Sequence, residues 1–156
     1  MSKILLRPMK IEDCEVASEI VAKNTLWQRY EYGASEAKQS FEMALYRENE
    51  ALIVATTPND KVLGFAWYQP TGGLGRAGYL RLIGIDPKYQ CRGIGKKLLQ
   101  EVERGCVGGM LMLLVSDFNE RGQKFYKREG YTEVGTFEKF VHSEINEMLL
   151  WKKFEK

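Results

Sequence analysis

The chain has one histidine and three cysteines in 156 residues, and both scarcities narrow what it can do. Cys14, Cys91 and Cys106 are odd in number and show no C-x-x-C spacing. That argues against a disulfide framework and a thiolate zinc site, and fits a reducing compartment. A metal centre would have to rest on carboxylates and a Ser/His/Asp arrangement on His142 alone, so neither is expected. Charge of one sign is also missing. Twenty-three basic residues against 21 acidic ones leave a net charge of +2 without any block of like charge, so neither nucleic acid nor an anionic membrane is an expected partner. No apolar run approaches membrane-spanning length, and residues 1–10 read as a short strand-like stretch rather than a signal peptide. A cytoplasmic location is expected.

What is present is enough apolar content, 44%, to build one sizeable core, so a single domain over residues 1–156 is expected. Ile4, Leu5 and Leu6 read as a first strand. Residues 12–23 follow with Val16, Ile20 and Val21 at helical spacing. A second helix over 35–47 carries Ala37, Phe41, Ala44 and Leu45 on one stripe, and an aromatic linker with Trp27, Tyr30 and Tyr32, stopped by Gly33, joins the two. Residues 51–56 and 62–68 flank a turn cluster and should pair antiparallel. Residues 69–78 read as a flexible connection to a strand over 79–86. A helix over 94–104 then leads to 110–115, an apolar run that reads as a strand buried on both faces and reached by a right-handed parallel crossover. A helix over 119–129, closed by Gly130, and strands near 131–134 and 146–154 finish an α/β pattern.

Between the strand over 79–86 and the helix over 94–104 lies Gln90-Cys91-Arg92-Gly93-Ile94-Gly95-Lys96. A glycine-rich turn opening a helix leaves backbone N–H groups unpaired at the positive end of the dipole, where they can grip a diphosphate. Arg92 and Lys96 add charge, and Gly93 and Gly95 let phosphate oxygens approach the backbone. The P-loop does not fit, because Lys97 follows Lys96, and the dinucleotide fingerprint would need glycine at Leu98.

With Asp86-Pro87-Lys88-Tyr89 leading into it, the run is similar to motif A of the GNAT superfamily of acyl-CoA N-acyltransferases, whose pattern is Gln/Arg-x-x-Gly-x-Gly/Ala. The segment from Asn119 through Phe125 and Tyr126 to Gly130 and Tyr131 resembles the family's Asn-x-x-Ala-x-x-Phe-Tyr-x-x-x-Gly-Phe. Gly122 stands where alanine is usual and Tyr131 where phenylalanine is usual. Neither departure is expected to touch the chemistry, although Gly122 weakens its helix by roughly 1 kcal/mol relative to alanine. The element order resembles the GNAT fold over essentially the whole chain. That implies a mixed central sheet of about six to seven strands flanked by about four helices, with two parallel strands splayed in the middle.

The resemblance implies acetyl-CoA as cofactor, its diphosphate on Gln90, Cys91, Arg92, Gly93, Ile94, Gly95 and Lys96. Its pantetheine arm would bond to main chain near Ile83 and Ile85 and to Asn119. It implies Tyr126 as proton donor to the departing CoA thiolate, and direct N-acetyl transfer to a primary amine of a small molecule, peptide or protein. A coenzyme-sensing module of the same fold is the alternative class. Trp27, Tyr30 and Tyr32 would wall the acceptor side, with Arg81 as a clamp for a substrate carboxylate. Exposed strand edges leave room for a homodimer. A lysine amine is neutral only about one part in a few thousand at pH 7, so a base or a desolvating pocket is needed. The motif A strand offers Tyr79 and Arg81 but no acid before Asp86. Glu147, Asp117, Glu31 and an ordered water are the remaining sources, and no base is assigned. An α-amine, of pKa about 7.7 to 8.0, needs less help.

Overall fold

A computed structural model describes residues 3–154. The short strand β1 (Leu5–Pro8) leads into α1 (Asp13–Lys23), which buries Cys14, Ala17, Ile20 and Val21. Asp13 holds the joint. Its carboxylate accepts two hydrogen bonds from the Arg7 guanidinium, at 2.7 and 3.0 Å, and one from the Lys10 amide at 2.7 Å. The aromatic linker then winds an unexpected helical turn, α2 (Thr25–Gln28), which raises the α-helices among the described residues to five. Trp27 supplies the reason: its indole is buried beside Phe65, with ring centres 6.3 Å apart, and a large apolar ring under solvent cover orders the turn that carries it. In α3 (Ala34–Ala44), Phe41 meets Phe65 and Trp67 edge-on, at 5.1 and 5.8 Å.

The strands β2 (Ala51–Thr56), β3 (Val62–Gly73) and β4 (Ala77–Ile85) form the expected antiparallel meander. The stretch 69–78 is not a flexible connection. Gly73 pairs with Ala77, and the Arg76 amide bonds to the Gly73 carbonyl at 3.0 Å, so the two strands meet at a tight turn. Gly72 and Gly73 serve close approach, since a Cβ on them would lie 2.4 Å from the Gln69 side chain and 2.9 Å from the Gly78 carbonyl, whereas Gly75 takes the left-handed φ of 71° at the turn. Further along, Leu80 faces Tyr68 and Leu82 faces Trp67, so Arg81 is an extra residue in the ladder. Such a bulge bends the strand and re-aims its side chains.

From β4 a short 3-10 turn leads to α4 (Ile94–Gly105), where Leu98, Leu99 and Val102 are fully buried and each contributes about 1.5–3 kcal/mol. The chain crosses back into β5 (Met110–Ser116), then forms α5 (Glu120–Arg128) and the hairpin of β6 (Thr132–His142) and β7 (Ile145–Lys153). The seven strands order as β1-β2-β3-β4-β5-β7-β6, all neighbours antiparallel except β4 and β5. One apolar cluster packs the sheet against α4 and α5, and another packs it against α1 to α3. No helix among the described residues is long and apolar enough to cross a membrane.

Two further expectations change. The strand β5 is not buried on both faces: Leu111, Leu113 and Val115 are buried, whereas Met110, Met112 and Leu114 are half-covered, and Leu114 borders a cavity. And β6 extends to eleven residues, with Val134, Phe137, Phe140 and Val141 exposed, so no period-two burial pattern marks its length.

The parallel pairing of β4 with β5 is brief. It covers Gly78 with Leu111, Tyr79 with Met112 and Leu80 with Leu113. Past the bulge, Leu82 to Ile85 keep only β3, while β5 stays with β7 as far as Ser116 opposite Glu147. The two strands part into a V, and the outer edge of β4 has no strand beside it.

Candidate active site

A cleft of about 1230 Å³ opens at the mouth of the V. Gln90, Cys91, Gly93, Ile94, Gly95 and Lys96 line it, together with Ile83 and Ile85 from the open edge of β4. Arg92 does not: its guanidinium lies over the Tyr89 ring, 5.5 Å from the centre. Cys91 and Gly93 are left-handed, with φ of 64° and 80°, and turn the backbone sharply into α4. The first helical N–H bond runs from Lys97 to the Gly93 carbonyl at 3.1 Å, so the amides of Ile94, Gly95 and Lys96 remain for an outside acceptor. A Cβ on Gly93 would meet nothing within 4 Å. Space, free donors and the Lys96 charge fit a diphosphate.

Sequence reasoning missed the cations that α5 brings to the same cleft. Arg121 donates to Gln90 Oε1 at 2.7 Å and to Cys91 Sγ at 3.1 Å, pinning the glycine run from the far wall, and Arg128 lines the cleft two turns on. Their seven-residue spacing, which places both on one helix face, is the available signal. Asn119 caps α5, its Oδ1 accepting from the Gly122 amide at 2.9 Å. Here a Cβ on residue 122 would fall 2.4 Å from Asn119 Nδ2, so Gly122 leaves room for the capping side chain.

Behind the cleft, on the α2 and α3 side of the sheet, lies a cavity of about 460 Å³. All four candidate acceptor residues, Trp27, Tyr30, Tyr32 and Arg81, line it. Arg81 rests over the Trp67 ring, 4.3 Å from its centre. Glu147 and His142 line it too, whereas Asp117 and Glu31 do not. The Tyr30 hydroxyl donates to Glu147 Oε2, tying the linker to β7, and His142 stands edge-on to Tyr30 at 6.2 Å. Glu147 is only 4% exposed. Burial raises its pKa and Asp117 adds to the rise, against the opposing hydrogen bond from Tyr30.

Tyr126, 7% exposed, packs edge-on between Phe125 at 5.1 Å and Tyr131 at 5.8 Å, and burial pushes its phenol up, holding it protonated. Cleft and cavity share their lining at Leu26, Trp27, Ile83, Asn119 and Tyr126. The two spaces therefore meet along these five residues, Tyr126 among them.

The model of the Acetyltransferase (GNAT) family matches residues 16–131. N-alpha-acetyltransferase RimI of Mycobacterium tuberculosis is 42% identical over 53 residues, a match that spans 34% of this chain and 34% of that relative's length. A GNAT-family protein of Desulfovibrio desulfuricans superposes with a TM-score of 0.82 at 22% identity, covering 97% of this chain and 99% of the other. The ribosomal-protein-S18-alanine N-acetyltransferase of Escherichia coli does so with a TM-score of 0.76 at 18% identity, over 99% and 96% of the two chains. At such identities the structures show a shared fold; with the family match over most of its length, the chain belongs to the GNAT acetyltransferase family and is an acyltransferase.

Proposed function

We propose that the protein moves an acetyl group from acetyl-CoA directly to a primary amine within a ternary complex. One observation carries this: the donor cleft and the acceptor cavity share Ile83, Asn119 and Tyr126, so two substrates can meet at one phenol. Acetyl-CoA, when bound, supplies a thioester carbonyl open to attack. The amides of Ile94, Gly95 and Lys96, with the Lys96 ammonium, hold its diphosphate. The open edge of β4 at Ile83 and Ile85 offers main-chain partners to the amide-rich arm, and nearby N–H groups face the developing oxyanion. Asn119 touches the arm, and Tyr126 gives its proton to the departing sulfur. Trp27, Tyr30 and Tyr32 wall the acceptor, and Arg81 meets a carboxylate on it. Positioning supplies much of the rate. The local identity to an N-alpha-acetyltransferase supports an α-amine acceptor. We place this activity in one cytoplasmic domain.

The test is thiol release from acetyl-CoA against an alanine-initiated peptide, a free amino acid and a polyamine, with CoA binding followed by thermal shift. Release with an α-amine is expected, along with a rise in melting temperature of roughly 5 °C at CoA about 100-fold above its Kd. CoA binding without release to any amine overturns the transfer.

A further inference from the structure

We propose that Glu147 takes the proton from the acceptor amine and that Tyr30 is its positioning residue; this rests on the transfer reading above and supplies its unassigned step. The motif A strand carries no acid before Asp86. Of Glu147, Asp117 and Glu31, Glu147 alone lines the cavity that Tyr126 also borders. A carboxylate 4% exposed must be hydrogen-bonded to be tolerated, and the Tyr30 hydroxyl meets Oε2. Its other oxygen, Oε1, accepts no hydrogen bond from the described residues and is not sealed from the cavity, which leaves a directed acceptor for an ammonium N–H. The placement is deliberate in structural terms. Glu147 faces Ser116 across the β5–β7 ladder at the point where β5 has parted from β4, so it stands at the wide end of the V.

The step balances as follows. The bound ammonium gives one proton to Glu147 and becomes a neutral amine, and Glu147 later passes that proton to solvent. The nitrogen lone pair forms the C–N bond at the thioester carbonyl, and the C–S bond breaks as Tyr126 protonates the leaving sulfur. The second proton, shed by nitrogen as the amide forms, restores Tyr126. One proton is released per turnover.

The groups facing Glu147 are Tyr30 from the linker, Tyr79 from β4, Asp117 beyond β5 and His142 from β6; Arg81 is the cation on the same cavity. Burial and then Asp117 hold the Glu147 carboxyl above the ordinary range, and the Tyr30 hydrogen bond opposes them. A base acts as the carboxylate, so kcat/KM falls as pH drops through that raised value.

The experiment is kcat/KM for acetyl transfer as a function of pH, with an alanine-initiated peptide as acceptor, for the wild-type protein and for Glu147→Gln and Tyr30→Phe. CoA-induced thermal shifts establish that each variant is folded. Glu147→Gln is expected to lose roughly 100-fold or more near pH 7 and to recover towards wild type above about pH 9, where an α-amine is already neutral. Tyr30→Phe, which removes the hydrogen bond that lowers the Glu147 pKa, is expected to move the acid limb to higher pH. A folded Glu147→Gln variant with the wild-type rate and profile overturns the base assignment alone. A wild-type protein that binds CoA but acetylates no amine overturns the transfer reading and this proposal with it.

Discussion

At the residue scale, Tyr126 is where packing and chemistry can be separated. Phenylalanine keeps the ring between Phe125 and Tyr131 and removes only the proton. Tyr126→Phe is therefore expected to keep the CoA-induced thermal shift while kcat falls roughly 100-fold, read as thiol release across pH; unchanged turnover would end the acid role. Tyr126 and Asn119 could be nominated from the sequence because both lie in one local segment whose spacing survives in a linear string, and the fold sets both at the border of cleft and cavity. Glu147 was legible only as one carboxylate among three, since its partner Tyr30 is 117 positions away and no periodicity joins them. Arg121 was missed for the same physical reason: its contacts to Gln90 and Cys91 exist only once α5 has packed beside the glycine run.

Among the elements, the β1–α1 joint is the clearest case of a local device with a global effect. Burial raises the pKa of Asp13, but the Arg7 guanidinium and the Lys10 amide outweigh it and the net shift is downward. A depressed carboxyl stabilises the fold above its unfolded value of 3.8 and ceases to do so as pH falls through the folded value. Asp13→Asn is expected to cost about 2 kcal/mol near pH 7, roughly 5 °C in melting temperature, with the gap to wild type closing below about pH 4. Helices with one buried face, such as α1 and α4, and the β-rich run of β2 were readable at nearly their true bounds. Those whose cause lies elsewhere were not. The turn α2 exists to seat Trp27, β6 has no buried face, and the 69–78 hairpin hid behind glycines needed for close packing at Gly72 and Gly73 and for a left-handed turn at Gly75.

Over the whole molecule, a net charge of +2 conceals a strong asymmetry. Lys23, Arg29, Lys96, Arg121 and Arg128 all border the cleft, against Glu120 and Glu129. Affinity for CoA, measured by titration, is expected to fall several-fold between about 50 mM and about 500 mM salt as the Debye length shrinks from above 10 Å towards a few ångströms. Composition reports sums, and only the fold reveals where the charges gather.

The parting of β4 from β5 has one more consequence. What it presents to a visitor is peptide backbone, and backbone is the part of a protein that substitution leaves untouched, proline excepted. Residues 81–85 can exchange one side chain for another, reshaping the walls and retuning what is accepted, while the row of donors and acceptors between those walls passes unaltered from one descendant to the next.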